Sequence, residues 1–169
     1  KEADIKLPTR ALAAATRELL YLAESVQTMF VPAMDIYENF DKVGVKELKK
    51  IENEIFDVHG RIKNFLAKVS QQNLSEDLLK RNGDLMMFAD NMAAATDVIV
   101  NRLLKLAKER NEKALVFSDE GWRELLALHD RVLINMQLAM DVLVSSDLET
   151  ARQLILEKNE LSSLTQKSL

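Results

Sequence analysis

The chain has no cysteine, two prolines and four glycines in 169 residues, and only 5% of it is aromatic. Without thiols there is no disulfide, thiolate metal site or cysteine nucleophile, a composition that suits a reducing compartment. Scarce glycine and proline remove the punctuation that turn-rich sheets need. Positive charge is not in excess either: 23 basic side chains face 27 acidic ones, for a net charge of −4. Nucleic-acid backbones call for a concentrated basic surface, so nucleic acid is not an expected partner. Anionic lipid is disfavoured for the same reason. No apolar run approaches the roughly 18 residues of a membrane-spanning helix. The most apolar stretch, 132–144, is interrupted by Asn135, Gln137 and Asp141. No secretory signal opens the chain. Because it begins with Lys1, we expect a piece of a longer protein.

What is present favours helices: 47% of residues are hydrophobic and 30% charged, with Leu, Ala, Glu, Lys and Met prominent. Apolar residues at alternating spacings of three and four predict about five helices and no strand. The first runs from about Pro8 to Glu38, with Pro8 at the first helical position. Its seam is Leu12, Ala15, Leu19, Leu22, Val26, Met29, Ala33 and Ile36. Pro32 predicts a kink or break near Thr28 or Met29. After a connection at 39–44, a second helix carries Leu48, Ile51, Ile55, Val58, Ile62, Phe65 and Val69. A third starts at Ser75, an N-cap followed by Glu76 and Asp77. It carries Leu85, Ala89, Met92, Thr96, Ile99, Leu103 and Leu106 and ends near Lys113. Ser118 caps a fourth helix with two seams, one of Leu125, Leu128, Val132, Ala139 and Val142. The other is Trp122, Leu126, Leu133, Met136, Met140 and Leu143. Two seams predict packing on two sides. Ser146 and Glu149 form a capping-box pattern that predicts a fifth helix through Leu154, Leu161 and Leu164.

The chain is internally duplicated. At an offset of 106, residues 17–36 fall on 123–142 with nine identities in twenty positions; composition alone gives roughly one or two. Arg17-Glu18-Leu19-Leu20 meets Arg123-Glu124-Leu125-Leu126, and Ala33-Met34-Asp35 meets Ala139-Met140-Asp141. The offset continues, with Asp41 on Asp147, Leu48 on Leu154, and Asn53-Glu54 on Asn159-Glu160. Helical periodicity aligns apolar positions but not Arg-Glu or Met-Asp pairs. The domain reading is therefore a first three-helix bundle over 1–113 and a partial second bundle of two helices over 114–169. The two pack as one continuous helical domain. Leu169 is the counterpart of Lys63, so the second unit leaves an apolar groove where a third helix would lie. A homodimer or a protein partner through that incomplete bundle is the expected occupant.

Chemistry finds little footing. Helical bundles build di-iron sites with Glu-x-x-His, but Phe56 and Leu126 stand three residues before His59 and His129. Both histidines read as core or boundary residues. No phosphate loop, nucleophile elbow or zinc-protease motif occurs. Glu18/Asp35 and Glu124/Asp141 are too far apart along their helices to act together. Met29, Met92, Met136 and Met140 lie on core seams, which makes packing their role rather than a peptide groove. The lysines at 46–50 and 105–113 read as solvated faces. No catalytic, cofactor-binding or metal-ligating residue is expected, and the chain is read as a non-enzyme.

Pro8-Thr9-Arg10-Ala11-Leu12, Arg17-Glu18-Leu19-Leu20 and Val26-x-x-Met29 resemble the opening of the PhoU-like domain. The form they resemble is the one appended to bacterial sodium/phosphate cotransporters of the type II-related family. Ile51, Glu52, Ile55, Val58 and Ile62 follow the same pattern. So do Phe117-Ser118-Asp119-Glu120-Gly121, Leu125-x-x-Leu128, and Ala151 with Lys158. The resemblance covers nearly the whole chain and implies two three-helix bundles. It implies a regulatory or assembly domain on the cytoplasmic side of the membrane, partnered by the transmembrane part of its own parent protein. The alternative it implies is a stand-alone PhoU-type regulator of phosphate uptake and signalling. Such regulators hold metals in motifs of two acids four residues apart, and here those motifs are incomplete. Asp90 has Met86 in place of its partner, Glu52 has Phe56, and Lys158 and Ser162 stand at the equivalent places in the second copy. No metal is expected.

Overall fold

The computed structural model describes residues 7–114 and 118–168. Side chains are described except those of Phe30 and Val31 and, beyond Ser145, all but Arg152, Ile155 and Leu156. The described residues contain helices and no strand: α1 (Pro8–Glu38), α2 (Lys42–Ser70), α3 (Glu76–Asp97), a π-helical segment (Val98–Leu103), α4 (Leu104–Lys113) and α5 (Asp119–Ser168).

Helix α1 is the axis of the molecule, packed by α2, α3, α4 and α5. All eight residues of its predicted seam are buried, and Ala11, Ala23 and Met34 join them. That wider buried face lets one helix serve several neighbours. Pro8 occupies the first turn, and Leu7 provides no side-chain cap. Of the kink or break expected near Thr28 or Met29, the break does not occur: α1 is a single helix through Pro32. Pro32 has no N–H to offer the Thr28 carbonyl, and both residues line an open cleft of about 650 Å³ beside the start of α2.

The corner into α2 is tight. Asp41 caps α2 by accepting from the Val43 N–H at 3.0 Å. A Cβ on Gly44 would lie 3.2 Å from Ile36 Cδ1 and 3.3 Å from Asp41 Oδ2, so glycine lets the two helices close here. Along α2 the buried residues are Leu48, Ile55, Ile62, Leu66 and Val69. Ile51, Val58 and Phe65 are half-buried against them.

Ser75 caps α3 as predicted, accepting from the Leu78 N–H at 3.3 Å. Asn82 is buried and donates to the Leu66 carbonyl at 3.0 Å, joining α3 to α2. The predicted register holds through Ile99, which is buried, and fails beyond it. Leu104 and Ala107 are buried, whereas Leu103 is half-buried and Leu106 is 52% exposed. The π-helical segment is the cause. The Leu104 N–H bonds the carbonyl of Ile99, five residues back, so one extra residue enters the turn and the core stripe moves along by one. Helix α4 ends at Ala114, whose φ of 50° is left-handed.

Ser118 caps α5, accepting from the Gly121 N–H at 3.1 Å. Two predictions for this region are corrected. No new helix starts at Ser146, because α5 continues for 50 residues to Ser168, roughly 75 Å at 1.5 Å per residue. The chain holds no Gly or Pro after Gly121, and Ser145 satisfies its hydroxyl inside the helix on the Asp141 carbonyl at 3.0 Å. The corner glycine is also missing: Thr150 is the counterpart of Gly44. Nor does α5 bury both seams. Met140 and Leu143 are buried and Met136 is half-buried against the core, while Leu128 and Val142 are exposed. A helix packed chiefly against α1 has only one covered side. The surroundings of 17–36 and 123–142 therefore differ, although both segments are helical. The seam residues Leu154, Leu161 and Leu164 lie outside the described side chains.

Candidate functional site

The polar groups that α2 and α3 bring together come from helical spacing. His59 and Lys63 are one turn apart on α2 and face the same neighbour. That neighbour is Asp90 on α3. His59 Nε2 lies 3.0 Å from Asp90 Oδ1, and Lys63 Nζ lies 3.0 Å from Oδ1 and 3.3 Å from Oδ2. Hydrogen bonds from His59 and then Lys63 hold the Asp90 carboxyl below its ordinary value. Both of its oxygens are engaged by cationic or donor groups.

Further along the same seam lie Glu52 on α2 and Asp97 at the end of α3. Glu52 Oε2 is buried with no hydrogen-bond partner. Desolvation, and secondarily the charge of Asp97, raise the Glu52 carboxyl above its ordinary value, with Lys49 opposing. Asp97 accepts from Asn101 Nδ2. The π-helical segment that begins at Val98 therefore opens directly beside the Glu52–Asp97 carboxylate pair, which repels across the seam.

Two arginines tie the elements together. Arg81 on α3 donates to Thr16 Oγ1 of α1 at 3.3 Å and to the Leu143 carbonyl of α5 at 3.5 Å. Arg110 on α4 donates to the carbonyls of Tyr37 and Glu38 and lies 5.4 Å from the Tyr37 ring centroid. It therefore receives the last carbonyls of α1, where the helix dipole is negative. His129 is half-buried, with Nδ1 at 3.5 Å from Asp130 Oδ1.

These positions bear on the metal motifs of PhoU-like regulators. Asp90 is turned to His59 and Lys63, Met86 packs against the core, and Phe56 is partly exposed. An ammonium group on Asp90, with a thioether and a phenyl group where the partner acids of Asp90 and Glu52 would stand, does not fit a divalent cation. Among the described residues, no three histidine or acidic side chains converge as metal ligands would. The positions of Lys158 and Ser162 lie outside the described side chains. The His59–Lys63–Asp90 contact is a pairing between residues 27 to 31 apart that helical periodicity could not reveal. Its one visible signal was the spacing of His59 and Lys63.

The fold and this seam define an all-helical bundle clamped by ion pairs between neighbouring helices. No family model matches the chain, and no solved structure matches it. It is similar to a Salmonella typhimurium protein named "Putative inorganic phosphate export protein YjbB". The two are 30% identical over 160 residues, which are 95% of this chain and 29% of that protein. Proteins of the same name from Escherichia coli strain K12 and Shigella flexneri are 29% identical over the same length. The chain thus spans under a third of the length of the curated relatives it matches. Among the described residues, no helix is long and apolar enough to cross a membrane.

Proposed function

We propose that this chain is a PhoU-like accessory domain of a sodium-dependent phosphate cotransporter. By this reading it lies on the cytoplasmic side of the membrane, catalyses nothing, and acts by helix-mediated contact with the membrane-embedded part of its parent. The observation that carries the reading is the alignment along 95% of the chain with under a third of proteins named for phosphate export. One helical module beside a larger remainder is the arrangement an accessory domain would have. The absence of a fitted metal motif at Asp90 and Glu52 favours this role over that of a metal-holding stand-alone regulator. The name of the relatives adds a direction, export, that the sequence did not suggest.

The test is phosphate flux through the parent protein with and without this segment, measured in both directions across a sodium gradient. The expected result is altered flux or lost regulation with the membrane part still inserted. Unchanged flux and regulation would refute the role. Regulation that is restored by supplying the segment as a separate chain, with no transporter physically attached to it in the cell, would favour the stand-alone alternative.

A further inference from the structure

Helix α5 has two sides of opposite character. Met136, Met140 and Leu143 face the core. On the other side Leu128, Ile134, Leu138 and Val142 are 59%, 59%, 57% and 65% exposed. Four large aliphatic side chains recur there over about 21 Å of helix, at 1.5 Å per residue. Such a stripe is unusual for a surface with no partner.

The duplication says what this face is for. Its four residues are the counterparts of Leu22, Thr28, Pro32 and Ile36. In the first copy all four line the boundary between α1 and α2, with Leu22 and Ile36 buried. The face is therefore the one that receives an antiparallel helix. The rest of α5 does not supply that helix, because it continues away along its own axis.

The charges on the stripe are arranged symmetrically. Arg131 stands three residues before Ile134 and Asp141 stands three residues after Leu138, and both are exposed. An antiparallel copy of the same helix, related by a two-fold axis passing between Ile134 and Leu138, sets each Ile134 on the other's Leu138. It also sets each Arg131 beside the other's Asp141. The centre of the stripe is complementary to itself, which is the condition for an isologous contact; toward its ends Leu128 falls opposite Val144, which is 40% exposed, and Val142 opposite Asp130. A different partner would not require this symmetry.

We propose that the outer face of α5 is a dimer interface, occupied by the same face of a second copy of this chain running antiparallel. The apolar stripe drives association, and the two Arg131–Asp141 pairs set direction and register.

Sedimentation of the full 169-residue chain over a range of concentrations tests this, with far-ultraviolet circular dichroism reporting that each variant is folded. The wild-type chain is expected to be a concentration-dependent dimer, and Ile134→Glu with Leu138→Glu a folded monomer. Arg131→Glu or Asp141→Arg alone, each placing like charges together twice per dimer, is expected to weaken association about tenfold. The combined exchange Arg131→Glu/Asp141→Arg is expected to restore it. All these residues are exposed in the single chain, so loss of the dimer need not accompany loss of the fold. A wild-type chain that sediments as a monomer at every concentration would overturn the proposal. So would a dimer that survives glutamate at 134 and 138, or a charge exchange that restores nothing. The readout is association alone, so it succeeds or fails separately from the phosphate-transport reading.

Discussion

Deleting Asn101 should be tolerated where deleting Lys105 is not. The π-helical segment adds one residue to the turn between Val98 and Leu103, and Asn101 is exposed within it. Its removal lets the chain run as ordinary α-helix. Leu104 and Ala107 then take the places that uniform periodicity gives to 103 and 106, and they stay in the core. The loss is the surface hydrogen bond from Asn101 to Asp97, worth about 1 kcal/mol or less. Lys105 is equally exposed but lies past the compensating turn. With the π-helical turn kept, its deletion rotates everything from Leu106 onward by about 100°. Ala107 leaves the core, at a cost of roughly 1 kcal/mol for its buried methyl. Arg110 loses the carbonyls of Tyr37 and Glu38, at about 1.5–3 kcal/mol for a charged donor. The two deletions should thus differ by about 1.5–4 kcal/mol. At 2–4 °C per kcal/mol for a chain of this size, the melting temperatures should separate by roughly 3–16 °C. Thermal melts followed by circular dichroism at 222 nm provide the assay. Equal losses from both deletions would refute the register argument.

Four further outcomes follow from single side chains. Ala114→Gly should stabilise the chain by about 0.5–1 kcal/mol, because glycine carries no Cβ penalty at the left-handed end of α4; urea titration reads it. Glu52→Gln should stabilise slightly at neutral pH, by less than about 1 kcal/mol given the group's partial solvation. The folded-state carboxyl is raised above 4.5, so its penalty exists only when ionised, and the gain should vanish in urea titrations carried out below that pH. Asp90 behaves in the opposite sense. Its carboxyl is lowered from 3.8, so its contribution is present above that value and fades as pH falls through the lower folded one. Asp90→Asn should remove that part of the acid sensitivity, read as a flatter stability-against-pH curve. Asn82→Ala should cost about 2–3 kcal/mol, combining a lost buried hydrogen bond to Leu66 with a small cavity; chemical denaturation measures it.

Helix starts were legible because each is a local chemical event. Pro8, Ser75 and Ser118 were read as first-turn or capping residues, and the structure uses them so. The seam of α1 was legible because 3.6-residue spacing holds for its whole length. Legibility failed where a local rule was overridden by something non-local. Periodicity assumes a uniform helix, and the π-helical segment at Val98–Leu103 changes the count midway. The Ser146–Glu149 pattern has the residues of a capping box, but Ser and Asp cost a helix interior only about half a kcal/mol each. Nothing in that stretch compels a stop. Whether two helices separate there depends on the corner they would make. The first copy makes its corner with Gly44 against Ile36, whereas the second carries Thr150.

The polar seam shows a different limit. That Asp90 lacked an acidic partner at Met86 could be read from sequence, but His59 and Lys63 as its actual partners could not. Their pairing depends on how α2 and α3 are rotated against each other. The consequence for function is physical. In a bundle of this kind an unpaired buried acid is a potential cation ligand, and an acid neutralised by two neighbours is a clamp. Asp90 belongs to the second class, and Glu52 with its unbonded oxygen comes nearest to the first. The His59–Lys63–Asp90 contact joins α2 to α3, and Arg81 and Arg110 tie α3 and α4 to α1 and α5. The exposed aliphatic stripe of α5 stands on the far side of that helix from these ties. The proposed activity of the chain accordingly lies on its outer faces, in partnership, and not in an interior site.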